Sequence, residues 1–556
     1  MGIATLLVER GVISQRQLDE AIAHQRAGGE RLDRVLVRLG MVTPEEVLRV
    51  IGHQFHMPVV DLGSLDIDRA VLGALPAKLV YRQNCVPIAR TADTLTVATS
   101  DPFELTGLDE LRLLTGCAIE VVLAEESELR AFIRAHYGVG GDTLDEMSAA
   151  DGVAGLPATA PESGELEQAQ EASVIKLVND LLVEAVSERA TDVHIEPYEH
   201  ELAVRYRIDG VLQRATIPPA INRYAAAIVS RLKIMASLNI AEKRRPQDGR
   251  ISFRHRGQEY DLRLSIIPML FGEGVVLRVL SKSAVLIGLD ELGMPRHVLE
   301  RWDRLISRPH GILLVTGPTG SGKSTTLYAS LKRIVSDEIK CITVEDPVEY
   351  HVPGVNQIQV SHKVGLDFAA GLRSILRHDP DVVMIGEIRD RETAETAVQA
   401  SLTGHLVFST LHTNDAAGAT TRLLDMGVEP FLVSSSLEGI LAQRLVRRVC
   451  RECGRPYQPA ARDLPPGFEH APGLTLVRGE GCRACRQTGY HGRVGVYELL
   501  VLDEPARELV MRRASSPEIA AHALKQGSLW TLRQDGYAKA RAGLTSIDEV
   551  ARALTA

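Results

Sequence analysis

Residues 311–325 read GILLVTGPTGSGKST, an apolar run that enters a glycine-rich loop ending in Lys-Ser. The pattern G-x-x-x-x-G-K-S is met by Gly317, Gly322, Lys323 and Ser324, with Pro318, Thr319, Gly320 and Ser321 between them and Thr325 following. Glycines at these places let successive backbone N–H groups point into one concavity at a helix N-terminus, where the helix dipole also favours an anion. The loop is therefore expected to hold phosphates. Lys323 would reach the outer ones, and Ser324 would offer its hydroxyl to Mg2+. GILLVTG predicts a strand before the loop, a helix begins near Lys323, and KCITVE (340–345) predicts the next strand. Strand, loop, helix and strand in this order are the context such a loop requires.

A phosphate loop alone fits a kinase, a GTPase or a motor. The guanine-reading N-K-x-D element of GTPases is absent, which favours ATP, and three polar clusters interrupt the apolar runs that follow. TVEDPVEY (343–350) places Glu345 and Asp346 at a strand end, with Glu349 after them; carboxylates there can orient a metal-bound water. In LRHDPDVVMIGEIRD (376–390) the strand VVMI delivers Gly386 and Glu387. An ordinary Walker B strand ends in an aspartate for the metal, so Gly386 is a departure, and Glu387 is the expected activator of the attacking water. TGHLVFSTLHTND (403–415) sets His405 and His412 at the two ends of one strand. His405 reads as structural; His412, beside Thr413 and Asn414, reads as a sensor of the γ-phosphate.

Upstream, residues 4–25 align with 33–54 at an offset of 29, pairing Gly11 with Gly40 and Gln25 with Gln54. Each copy predicts helix, glycine turn, helix, and Ser14/Gln17 and Thr43/Glu46 have capping-box spacing. Residues 55–137 alternate short β-rich runs with helical ones and predict an α+β module. Residues 138–171 are rich in Gly, Ala, Pro and acids, and predict a flexible acidic tether. Its eight carboxylates account for nearly all of the net charge of -9, so the folded parts are near neutral and nucleic acid is not an expected partner. Residues 172–284 predict a second α+β, PAS-like domain, and 285–556 the nucleotide-binding domain. With no signal sequence and no apolar run near the roughly 18 residues of a membrane span, the expected compartment is the cytoplasm.

Four of the seven cysteines form two CxxC pairs, Cys450/Cys453 and Cys482/Cys485, separated by 28 residues. Four thiolates in this pattern fit a closed tetrahedral Zn2+ site within an insert at 450–485; a redox disulfide pair is the alternative. Cys85, Cys117 and Cys341 are expected in the core. Arg444, Arg447, Arg448, Arg451 and Arg455 around the insert read either as a face toward a membrane platform or as a solvated helix face.

With these clusters in view, the chain resembles the ATPases of bacterial type II secretion and type IV pilus assembly over nearly its whole length. By this resemblance TVEDPVEY is the family's aspartate box, GEIRD its Walker B segment and TGHLVFSTLHTN its histidine box. The fold it implies is a RecA-like P-loop ATPase core. The resemblance implies a homo-hexamer, attached peripherally to the inner membrane through a platform protein and a cytoplasmic docking protein. Carried over by motif, Arg263 in DLRLS, Arg278 in VVLRVL, and Arg373 and Arg377 in GLRSILRHD would approach the nucleotide. The resemblance also implies the zinc site of the assembly enzymes, which retraction ATPases generally lack. The amino-terminal repeat resembles a domain that binds cyclic di-GMP through two R-L-G…Q motifs. Gln25, Arg31, Leu32 and Gln54 match, whereas Gly2 replaces an arginine and Asp33 a glycine, which leaves ligand binding open. Two rivals stay open as well: a DNA-handling or conjugation motor, and a nucleotide-gated adaptor without turnover.

Overall fold

The computed structural model describes residues 7–8, 10–28, 32–65, 67–102, 108–141, 143–144, 171–281 and 287–555. The chain divides into two units, Met1–Ser281 and Lys282–Ala556.

In the first unit the repeat is visible at the level of single hydrogen bonds. Gly11 and Gly40 take φ of +70° and +68°. Their amides bond to Val8 and Val37 while the amides of Val12 and Met41 reach Leu7 and Leu36, the same pattern 29 residues apart. These are helix C-terminal turns that need a left-handed residue, which glycine supplies without strain. Both capping boxes form: Gln17 closes on Ser14 and Glu46 on Thr43, each side chain reaching the cap's backbone N–H. A small sheet follows, in which β1 (Cys85–Arg90) pairs antiparallel with β2 (Thr94–Thr99) and β2 parallel with β3 (Ala118–Leu123).

The second module of this unit is a six-stranded antiparallel sheet. It is built from β4 (Asp192–Pro197), β5 (Leu202–Ile208), β6 (Val211–Arg214), β7 (Gln247–His255), β8 (Gln258–Met269) and β9 (Gly272–Ser281) in the order β6-β5-β4-β9-β8-β7. Helices Ala172–Ser187 and Ala225–Met235 bury their apolar sides with it. The acidic tether proves shorter than its composition predicts. Val139 and Leu144 are buried in this module's core, and the Val139 amide bonds to the Thr216 carbonyl. Two apolar residues in a Gly-rich stretch suffice to dock it. Residues 145–170 lie outside the described residues.

The second unit is a mixed eight-stranded sheet. Its strands are β10 (Gly311–Thr316), β11 (Cys341–Glu345), β12 (Val355–Gln359), β13 (Val382–Ile385), β14 (Leu406–Leu411), β15 (Leu437–Val449), β18 (Tyr490–Val501) and β19 (Leu529–Trp530). They are ordered β12-β11-β13-β14-β10-β15-β18-β19, parallel as far as β15 and antiparallel beyond it. Every residue of β10, β11, β13 and β14 is buried. Both faces of the sheet are covered, so these runs carry no alternation. Along β10, Leu314 joins one apolar layer while Leu313 and Val315 join the other. A two-stranded ribbon of β16 (Gly454–Tyr457) and β17 (Leu476–Gly479) carries the insert. Among the described residues no helix is long and apolar enough to cross a membrane. Cys85, Cys117 and Cys341 are buried, as expected.

A second expectation is corrected. LAQRLVRRV is not a helix face but the outer half of β15, paired with β18 along its length and with β10 only at Leu441 and Ala442. Arg444 is buried there, and Arg447 is held by the buried carboxylate of Glu549.

Candidate active site

Because β10, β11, β13 and β14 are parallel, their carboxyl ends share one edge of the sheet, where ligands of α/β folds collect. The phosphate loop leaves β10 there. Gly317, Gly320 and Gly322 take φ of +147°, +79° and +90°. A Cβ on Gly317 would stand 2.4 Å from the Gln443 backbone carbonyl oxygen, and one on Gly322 2.7 Å from the Gln443 side-chain Nε2. The loop is thus pressed onto β15: at Gly317 a side chain would collide with backbone, and at Gly322 the left-handed backbone favours glycine and the Gln443 side chain would have to move. Pro318, Thr319 and Gly320 form an exposed crest, Ser321 is buried beneath it, and Ser324 is exposed on the first turn of helix Lys323–Ile334. Thr325 is half-buried beside it. The next residue, Thr326, donates its hydroxyl to Gln443 Oε1 at 2.6 Å and ties the helix to the same strand.

Lys323 is buried, and its Nζ donates to the Gly317 and Pro318 carbonyls at 2.8 and 3.1 Å. Burial lowers it to about 8; Glu387 opposes the shift and Arg444 adds to it. A lysine folded onto its own loop is in place to turn outward to a phosphate, the group this cradle fits.

Glu387, at the end of β13, meets His412, at the end of β14, with His412 Nε2 3.3 Å from its carboxylate oxygen. Arg389 binds the other oxygen. Burial pushes the Glu387 carboxyl up, but Arg389 and then His412 more than offset this, so it lies below the usual carboxylate range. Gly386 also gains a reason. A Cβ there would lie 3.2 Å from the Phe368 ring and 3.4 Å from the Glu345 backbone. The Gly386 amide bonds to the Val344 carbonyl at 2.8 Å, so the point is closely packed, and a side chain there would require the Phe368 ring to give by a few tenths of an ångström.

Glu345 is buried and receives three donors: the Tyr328 hydroxyl, Thr343 Oγ1 at 2.6 Å and Gln357 Nε2 at 3.0 Å. Of about four lone-pair sites on a carboxylate, one is left.

Residues 167–552 match the family described as type II/IV secretion system protein. The chain belongs to that family. It is 42% identical to the type IV pilus assembly ATPase PilB of Myxococcus xanthus, over 99% of this chain and 98% of that one. It is 52% identical to the type II secretion system protein E of Pseudomonas aeruginosa, over 74% and 80%. Residues 55–143 match the MshEN domain, which is the first α+β module and not the helical repeat. The solved ATPase DotB of Legionella pneumophila aligns with a TM-score of 0.51 at 23% identity, covering 67% of this chain and 94% of that one, which supports the fold. This secretion-family chain is therefore a P-loop ATPase that hydrolyses ATP, of the kind that drives pilus assembly or protein secretion.

The arginines expected at the nucleotide fall into two groups. Arg263 and Arg278 of this ATPase are direct cross-strand neighbours on β8 and β9. With Asp192 and Arg250 they line one open pocket, and Arg278 Nε lies 3.3 Å from the Asp192 carboxylate. Arg373 is paired with Glu392, while Arg377 folds back onto the Arg373 carbonyl at 2.9 Å. Within the single chain neither of these two bonds to the loop among the described residues. His405 accepts the structural part, with Nδ1 2.8 Å from the Ala400 carbonyl.

The four cysteines of this secretion ATPase converge: all four sulfurs lie within 4.8 Å of one another. Three pairs, Cys450–Cys482, Cys453–Cys485 and Cys482–Cys485, are each 3.7 Å apart. Zn–S bonds of about 2.3 Å in a tetrahedron require S···S of roughly 3.8 Å, so the donor set fits Zn2+. Burial opposes ionisation of Cys485, but the amides of Cys482 and Gly489, at 3.1 and 3.2 Å from its sulfur, bring it down to about 7.

Gln443, Arg389 and Tyr328 are site residues that the motif reading passes over. Gln443 has a visible signal, as the Gln-Arg pair breaks an otherwise apolar run.

Proposed function

We propose that this ATPase works as a homo-hexamer at the cytoplasmic face of the inner membrane, docked through a platform protein and a cytoplasmic docking protein. In this reading Glu387 is the catalytic carboxylate. The observation that carries it is the meeting of Glu387, His412 and Arg389 on the edge that also holds Lys323. A carboxylate this acidic orients the attacking water and takes its proton late, as a loose phosphoryl transition state permits. His412 would read the γ-phosphate and hold Glu387 in place. Glu345 has one acceptor site left for a water of the metal. Mg2+ held by Ser324 would supply charge neutralisation between the phosphates.

Arg263, Arg278, Arg373 and Arg377 would add positive charge only when subunits assemble, coupling turnover to the ring. Zn2+ on Cys450, Cys453, Cys482 and Cys485 would be structural. Cyclic di-GMP is the ligand that the repeat's Gln25, Leu32 and Gln54 would favour. Asp33, in the first turn of helix Leu32–Arg38, opposes a phosphate there, while Gly2 and Arg31 lie outside the described residues.

Glu387→Gln tests the central assignment, since it keeps shape and removes the charge. Phosphate release is expected to fall at least about a hundredfold with ATP still bound; release near the wild-type rate would overturn it. Stimulation of that release by DNA would favour the DNA-motor rival instead.

A further inference from the structure

Arg444 is a buried cation with no carboxylate in ion-pair contact among the described residues; Glu498 and Asp415 offset its burial only in part. It is 6% exposed. Its hydrogen bonds go to neutral acceptors: Nη2 donates to Asn414 Oδ1 at 3.1 Å, and Nη1 to the Gln443 carbonyl at 3.4 Å. Its Nε is buried without a partner. Glu498 and Asp415 act on it only at longer range among the described residues. Arg447, three residues along the same strand, shows the contrast, because its guanidinium ends 2.8 Å from the Glu549 carboxylate. Burying a guanidinium without a contacting ionic partner is unfavourable in general, so a stability role does not account for Arg444.

Its position does. The last residue pair between β10 and β15 is Thr316 with Ala442, so Gln443 and Arg444 continue alongside the phosphate loop. Arg444 bonds to the same Gln443 carbonyl that excludes a side chain at Gly317. On its other side it holds Asn414, two residues beyond His412. The turn after β14 is gripped a second time, where Glu498 of β18 accepts from the Ala416 amide at 2.8 Å.

We infer that Arg444 is a positioning residue of the ATPase reaction: through Asn414 it holds the end of β14, and hence His412, in register with Glu387 and the phosphate loop. The inference rests on the assignment of Glu387 and His412 above, which the Glu387→Gln variant tests separately. The full chain is used, and ATP turnover is compared with binding of a non-hydrolysable ATP analogue in Asn414→Ala, Arg444→Gln, their double variant and Arg444→Lys.

Asn414→Ala and Arg444→Gln are each expected to lower kcat about tenfold or more while KM and analogue affinity stay within about threefold. The double variant is expected to be no worse than the poorer single one, because both break the same contact. Arg444→Lys, which keeps the charge and a donor, is expected to recover part of the loss. Asn414 is exposed, so its alanine variant keeps the test valid should Arg444→Gln fail to fold. Multiplicative losses in the double variant, a loss confined to KM, or an unchanged kcat in Asn414→Ala would each overturn the inference.

Discussion

Raising the pH is a direct perturbation of Lys323. The lysine is held at about 8 chiefly by burial, against an ordinary value of 10.5. Only its charged form completes the loop's grip on the outer phosphates, so the apparent dissociation constant for ATP scales inversely with the protonated fraction. With a value of about 8, affinity falls about twofold at pH 8 and roughly tenfold at pH 9 relative to pH 7. A lysine at its ordinary value would lose only about 3% over the same range. The sign is fixed: binding tightens as pH falls through 8, and at pH 9 each binding event takes up close to one proton. Calorimetric titration with a non-hydrolysable analogue and Mg2+, in buffers of different ionisation enthalpy, reads both quantities. Lys323→Arg, whose charge persists, is expected to flatten the profile. An affinity that is constant from pH 7 to 9, or an equally steep profile in Lys323→Arg, would refute the reasoning.

Two further predictions concern the fold around the site. The buried Glu549 carboxylate is shared by Arg447 and Arg552 and is held at about 2: burial opposes this, and hydrogen bonds from Arg552 and Arg447 overcome it. A depressed acid stabilises the folded state above its ordinary value of 4.5 and loses that contribution as pH falls toward 2. Glu549→Gln is expected to cost on the order of 3 kcal/mol at pH 7 and to remove part of the acid sensitivity, which denaturant melts at pH 7 and 4 would measure. Chain purified without chelator is expected to carry about one Zn2+, and Cys453→Ser to lose it with a drop in melting temperature. Less than about half an equivalent of metal in the unsubstituted chain would count against the cysteine site.

What the sequence made legible was chemistry carried by short, contiguous runs. The phosphate loop, the ends of β11, β13 and β14, and the cysteine pairs each declare themselves within a few residues, and parallel strands bring those ends to one edge. What it hid depends on which strands lie side by side. Gln443 and Arg444 are more than a hundred residues from the loop, and only the pairing of β15 with β10 makes them its floor. The arginines of LAQRLVRRV looked solvated because charge alternating with apolar residues fits a helix face as well as a strand. Val139 and Leu144 were outweighed by the glycines and acids around them. Gly386 reads as a defect in a metal-binding motif until the Phe368 ring, 3.2 Å from where a Cβ would stand, shows how closely that point is packed.

The strand that floors the phosphate loop does not end there. From Gln443 the backbone of β15 runs on to Val449, with one irregularity in its pairing at Arg448, and Cys450 is the next residue. Seven residues of extended chain span about 23 Å. Hydrogen bonding to β18 along this stretch stiffens it. The cysteine cluster therefore stands at the tip of a strand whose other end touches the phosphate loop. One degree of tilt at the loop would displace the tip by about 0.4 Å over that length, so the strand is a lever arm joining the phosphate loop to the cysteine cluster.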